Sequence, residues 1–314
     1  MVRRIPAVLA LLLLAASCTG SEPTGQSPPP EQVELVAQVA SADLFAGQPQ
    51  RVLVGMFAND GRIVTFGTVR FSFSYVGTAE DPVDPAEPGP AAEARYIPTP
   101  GTPSGEGGAA SLSQPSEARG VYQATDVTFP MAGFWQVTVD TDVEGVGTAR
   151  ATSAFEVRSE PQIPAPGDDV LPTENLTLDS KGVPAGAIDS IAAAGADIPD
   201  PELHTSTIAD ALDERKSMVV VFATPAYCIS RFCGPVVSAI QDLADRFGGS
   251  AVYIHVEIWR DYENGIINDA AAEWLQLPSG DLTEPWIYMI DDRGVIVDRW
   301  NSLFDPAELA AYLQ

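Results

Sequence analysis

Hydrophobic positions recur with two different periods along this chain, and the change of period divides it. Between residues 31 and 158 the period is two. In Arg70-Phe71-Ser72-Phe73-Ser74-Tyr75 the aromatics share one face and the polar residues the other. Trp135, Val137 and Val139 alternate with Gln136, Thr138 and Asp140 in the same way. Residues 33–39, 52–57, 120–128 and 148–157 also read as strands, bounded by Gly, Asn-Asp-Gly and Pro. Short alternating strands without a helical stretch between them predict an antiparallel β-sandwich. Residues 77–118, rich in Pro, Gly and Ala, read as a long mobile interruption with one strand near 94–97.

From residue 206 strands and helices alternate. Ile208 to Glu214 reads as a short helix, and Met218-Val219-Val220-Val221-Phe222-Ala223 as a strand buried on both faces. Val236, Ile240, Leu243 and Phe247 form one helical stripe, closed by Gly248-Gly249. A strand over 251–258 and a helix over 265–275 follow. Strands at 286–290 and 295–300 flank the turn Asp291-Asp292-Arg293-Gly294, and Asp305-Pro306-Ala307-Glu308 opens a last helix. Residues 159–205, with Pro161, Pro164, Pro166 and Pro172, read as an interdomain linker that docks through Leu176, Leu178, Ile188 and Ile191.

The N-terminal residues have a different character. Arg3 and Arg4 precede the apolar run 8–16, which is too short to span a bilayer and ends at Leu14-Ala15-Ala16-Ser17-Cys18. This pattern resembles the lipobox of bacterial lipoproteins, with Ala15 where Leu is usual. The resemblance implies a signal peptide over 1–17, a lipid on Cys18 and attachment to the cell membrane from outside the cytoplasm. Residues 18–30, with three successive prolines, read as an extended tether.

Charge narrows the partners. Forty-three acids against 17 bases leave a net charge of −26, with Lys only at 181 and 216. Nucleic acid is therefore not an expected partner, since phosphate contacts need clustered cations. Three cysteines and two histidines distant in sequence predict no metal centre and no cofactor. His255 reads as a core or sheet-face residue, His204 as an exposed linker residue, and Glu257, Asp261 and Glu263 as a solvated face. Asn175-Leu176-Thr177 fits a glycosylation sequon but has no weight in a bacterial lipoprotein.

Two resemblances add to this reading. Gly120-Val121-Tyr122 and Ala132-Gly133-Phe134-Trp135-Gln136-Val137 resemble small immunoglobulin-like periplasmic domains, including the CopC/YtkA-like group. Copper-binding members use His and Met, whereas this region has no His and only Met56 and Met131, so a spacer or protein-contact role is expected. In the second half, the element order, the loop Thr224-Pro225-Ala226-Tyr227-Cys228-Ile229-Ser230-Arg231-Phe232-Cys233-Gly234-Pro235 and the later Glu284-Pro285-Trp286 resemble the thioredoxin family. Membrane-anchored actinobacterial proteins with a Thr-Pro-Ala-aromatic-Cys and Cys-Gly-Pro-Val segment are similar. The resemblance implies an α/β thioredoxin-like fold over 206–314 and a cis Pro285 beside the thiols.

The chain departs from that family at Val236, where the second cysteine would stand; the pair is Cys-x4-Cys instead. A cysteine at a helix N-terminus faces unpaired N–H groups that favour thiolate. Cys233 is accordingly assigned the attack and Cys228 the resolution, while an alignment on Tyr227-Cys228 reverses the roles. The peroxiredoxin Thr spacing fails by one residue, and Sco-type copper chaperones use Cys-x3-Cys. The whole reading is a multi-domain lipoprotein that exchanges disulfides with protein thiols or disulfides. The competing one is a non-catalytic adaptor with a structural bridge.

Overall fold

The alternating aromatics do form a sheet, and it is larger than a sandwich half. In the computed structural model, which describes residues 33–105 and 107–314, nine strands join into one antiparallel sheet. They are β1 (Leu35–Val39), β2 (Pro49–Ala58), β3 (Ile63–Thr65), β4 (Thr68–Gly77), β5 (Pro82–Pro98), β6 (Ser111–Ser113), β7 (Gly120–Thr128), β8 (Gly133–Val143) and β9 (Gly147–Val157). The order is β6-β3-β2-β7-β5-β4-β8-β9, with β1 paired to β2. Phe73 and Trp135 are buried within it, and the rings of Phe129 and Phe155 pack on the same cluster at centroid distances of 5.1–6.1 Å.

The expected two-sheet sandwich is corrected by β5. This 17-residue strand occupies much of the segment read as a mobile interruption, and it pairs with β4 along one edge and β7 along the other. It thereby closes what would have been two sheets into one.

The expected α/β thioredoxin-like domain at 206–314 is also corrected. Strand makes up 40% of the structure and helix only 16%, a balance that belongs to a mostly β protein. Four strands, β10 (Met218–Ala223), β11 (Val252–Glu257), β14 (Trp286–Ile290) and β15 (Ile296–Asn301), form a small sheet of order β11-β10-β14-β15. Of its helices only α2 (Cys233–Phe247) is long; α1 (Ile208–Asp213), α3 (Asp269–Leu275) and α4 (Pro306–Ala310) have seven residues or fewer. The helix expected from residue 265 starts late because β13 (Ile266–Ile267) pairs with β12 (Trp259–Asp261). Backbone pairing there takes the first turn away from the helix.

Nor is the second half a separate core. Leu53, Ile97 and Val121 of the nine-stranded sheet share a buried cluster with Val219, Val221, Ile287 and Trp300 of the small one. Polar groups hold the same seam. Arg51 donates to both oxygens of Asp298 at 2.7 Å and to Glu308 at 2.9 Å, and Arg95 reaches Asp305 and Glu308. Arg299 pairs with Asp43 at 2.9 Å and donates to the carbonyls of Ile163 and Pro164.

Residues 159–205 are laid against the small sheet. Asp168 and Val170 exchange backbone hydrogen bonds with the hairpin at Gly294 and Ile296, and Trp274 Nε1 donates to Thr173 at 2.8 Å. Three short 3-10 turns, Ala185–Ala187, Ser190–Ala194 and Pro201–His204, complete the segment. Residues 1–30, where the signal peptide, the Cys18 lipid site and the tether were expected, lie outside the described residues. No helix among the described residues is long and apolar enough to cross a membrane.

Candidate functional site

The loop from β10 to α2 carries both cysteines of the second half. A fully apolar strand delivers the chain to Thr224, which is buried. The Ala226 N–H then donates to Ser190 Oγ at 3.0 Å, so the linker segment braces the loop from below. A turn at Arg231, with φ of +62°, reverses the chain into α2. Such left-handed backbone is uncommon for a residue with a Cβ and marks a tightly determined loop.

Cys228 and Cys233 form a disulfide with Cα atoms 6.0 Å apart, inside the ordinary bridging range. The two sulfurs have unequal surroundings. Cys233 is the first residue of α2 and wholly buried, whereas Cys228 is half-buried. Phe232, at the N-cap, offers no side-chain acceptor to the helix. The Cys228 sulfur supplies one instead, taking the Cys233 N–H at 3.3 Å, and Ser230 Oγ lies 3.2 Å from it. A sulfur so placed meets a backbone donor and the positive end of the helix dipole, both of which stabilise thiolate. Pro235 falls in the first turn, where its missing N–H leaves no helical bond unmade.

The third group is Glu284. One of its carboxylate oxygens lies within 4.8 Å of both sulfurs. Burial pushes this carboxyl above the usual glutamate range, and the charge of Glu257 adds to the shift. Pro285, which follows Glu284 through a cis peptide bond, is buried at the head of β14, and its carbonyl accepts the Ser302 N–H at 3.0 Å. The expected pair and the neighbourhood of Pro285 therefore come together, but the group that reaches the sulfurs is Glu284. Nothing in the sequence distinguished Glu284 from the other acids except its place before Pro285.

The outer rim is apolar. Ile229 is 93% exposed beside Cys228, and Tyr227 stacks on Tyr262 with ring centroids 3.9 Å apart.

Below the loop lies a buried polar cluster that the sequence reading misplaced. His204, expected to be exposed, is 0% exposed, and Glu257, expected on a solvated face, is 2% exposed. Both follow from the docking of residues 185–204 on β11. Glu257 accepts the N–H groups of Ser190 and Trp259, and Asp189 faces His204 and His255. Burial alone would raise Asp189, but the two imidazoles hold its carboxyl well below the usual range.

No protein-family model matches the chain, and no curated protein matches it. Among solved structures, part of the chain is similar to BslA, a bacterial hydrophobin. The identity is 13%, over 41% of this chain and 96% of that one, with a TM-score of 0.22.

Proposed function

We propose that the protein is a thiol–disulfide oxidoreductase acting through Cys228 and Cys233 on protein thiols or disulfides outside the cytoplasm. The observation that supports this reading is the asymmetry of the bridge: a half-exposed sulfur at a helix N-terminus, bonded to a buried one. A bridge open to attack at one sulfur alone gives a defined order of events. The sequence pattern ending at Cys18 supports attachment to the membrane through a lipid on that residue.

The roles follow the exposure and reverse the assignment made from the sequence. In substrate oxidation, a substrate thiolate attacks Cys228 Sγ, and the Cys228–Cys233 bond breaks with its electron pair leaving on Cys233. That sulfur takes a proton from the Glu284 carboxyl. The substrate's second thiol passes its proton to the Glu284 carboxylate so formed and attacks the mixed disulfide, releasing Cys228 as thiolate. The substrate dithiol is oxidised by two electrons and the protein bridge is reduced by two. Reduction of a substrate disulfide runs the same steps backwards, with Cys228 attacking and Cys233 resolving.

The test is insulin reduction together with mixed-disulfide trapping in the Cys228→Ser and Cys233→Ser variants. Cys233→Ser should accumulate a mixed disulfide on Cys228, and Cys228→Ser should trap none. Equal inertness of wild type and both variants, with a bridge that mild reductant leaves closed, would overturn the proposal in favour of a non-catalytic adaptor.

A further inference from the structure

Three side chains unused in this chemistry converge beneath the redox loop. Asp189 caps the 3-10 turn at Ser190–Ala194, His204 ends the turn at Pro201–His204, and His255 lies on β11. All three are at most 1% exposed. The two oxygens of Asp189 face different ways. Oδ1 accepts the Ile191 N–H at 2.8 Å, while Oδ2 lies 3.3 Å from His255 Nδ1 and 3.7 Å from His204 Nε2.

The hydrogen-bond accounting does not close with protein groups alone. His255 Nε2 is 3.1 Å from the Ala223 carbonyl, which can only accept, so Nε2 carries a hydrogen. In the neutral ring, Nδ1 then turns a lone pair toward a carboxylate oxygen. A proton between them would satisfy His255, yet it would leave His204 with neither ring nitrogen hydrogen-bonded. Buried polar groups are rarely left so.

We infer that Asp189, His204 and His255 form a site for a divalent cation of the zinc class. One ion bound to Asp189 Oδ2, His255 Nδ1 and His204 Nε2 gives a partner to His255 Nδ1 and to the His204 nitrogen that faces Asp189, two of the three imidazole nitrogens left over above. The candidate ligand atoms of the three residues already lie within 4.8 Å of one another. Metal–ligand bonds of about 2.0–2.1 Å in tetrahedral geometry separate neighbouring ligand atoms by about 3.4 Å, close to the 3.3 and 3.7 Å found. Two imidazole nitrogens and one carboxylate oxygen suit zinc better than the oxygen-seeking calcium or magnesium. The outer contacts also fit. The Ala223 carbonyl orients His255 and the Ile191 N–H orients Asp189, as partners of metal ligands commonly do. Glu257 is not part of the set, because its oxygens accept backbone N–H groups. The ion would clamp residues 189–204 to β11 and, through Ser190 and the Ala226 N–H, fix the loop that carries Cys228.

The experiment uses the oxidised full chain, in which the two sulfurs are bonded to each other and offer no thiolate. Chelator-stripped protein is refolded with Zn2+ or Co2+ and dialysed. Metal content, melting temperature and X-ray absorption at the metal edge are then measured. One equivalent is expected to remain bound and to raise the melting temperature by several degrees, with nitrogen and oxygen scatterers, an imidazole signature and no sulfur. Cys228→Ser/Cys233→Ser should bind equally, and His204→Gln should lose more than about 100-fold in affinity. Failure of the wild type to retain metal overturns the site, as does a sulfur scatterer or a spectrum without imidazole. Undiminished binding by folded His204→Gln overturns it as well. The absorption spectrum of the wild type decides the matter even if that variant does not fold.

Discussion

The Cys233 N–H points at the sulfur of Cys228 across 3.3 Å, so the first donor of α2 serves the more exposed of the two sulfurs. In the reduced protein this bond favours thiolate on Cys228, while burial disfavours it on Cys233. Cys228 should therefore be the more reactive thiol. Alkylation of the reduced protein at pH 7, followed by mass spectrometry, should modify Cys228 first and Cys233 only after unfolding. Faster modification of Cys233 would reverse the proposed roles.

Glu284 supplies a pH dependence whose sign is set by its raised carboxyl. A folded value above the unfolded one gives stability that is complete below the ordinary glutamate range, about 4.3, and is lost as pH rises through the folded value. Glu284→Gln stays neutral throughout. Its melting temperature, measured relative to wild type from pH 4 to 8, should climb across that window and then level off. A difference that stays flat across the range would show that this carboxyl titrates normally.

The seam between the sheets depends on a few residues whose removal leaves buried groups exposed to each other or unpaired. Arg51→Met keeps the apolar stem over Trp300 but leaves Asp298 without its cation, while Glu308 keeps Arg95. A loss of about 2–4 kcal/mol is expected in urea unfolding, since breaking one side of a largely buried pair strands the other. Leu53→Ala, at the shared apolar cluster, should cost about 2–5 kcal/mol by the same measurement.

Ile229 separates stability from exchange. It is 93% exposed, so Ile229→Ser should shift stability by no more than about 0.5 kcal/mol. If the apolar rim receives apolar segments next to substrate cysteines, the same variant should slow exchange with unfolded protein while leaving exchange with glutathione unchanged. An equal effect on both would place the rim outside substrate binding.

Legibility in the sequence followed local pattern. Strands β4 and β8 were readable because Phe71, Phe73, Trp135 and Val137 alternate with polar neighbours and are buried as the alternation requires. Strand β5 was not, because Pro82, Pro85, Pro88, Gly89 and Pro90 oppose strand formation locally and most of its first half is exposed. Pairing to β4 holds that half, and β7 joins on the other edge only from Arg95 onward. The fold class failed with it, since the connection between sheets depends on that tertiary pairing. The cysteine pair was visible as two residues in one loop. Glu284, His204 and Asp189 were not, because their burial comes from segments distant in sequence folding over them.

Glu308 accepts from Arg51, Arg95, Gln123 and Trp300, drawing strands made early in translation onto a residue made late. Three of those four partners are synthesised long before their acceptor exists. The nascent N-terminal half must therefore wait with Arg51 and Arg95 unanswered and its flank of Leu53, Ile97 and Val121 open to water. That interval is when the half-built chain most needs a chaperone's cover.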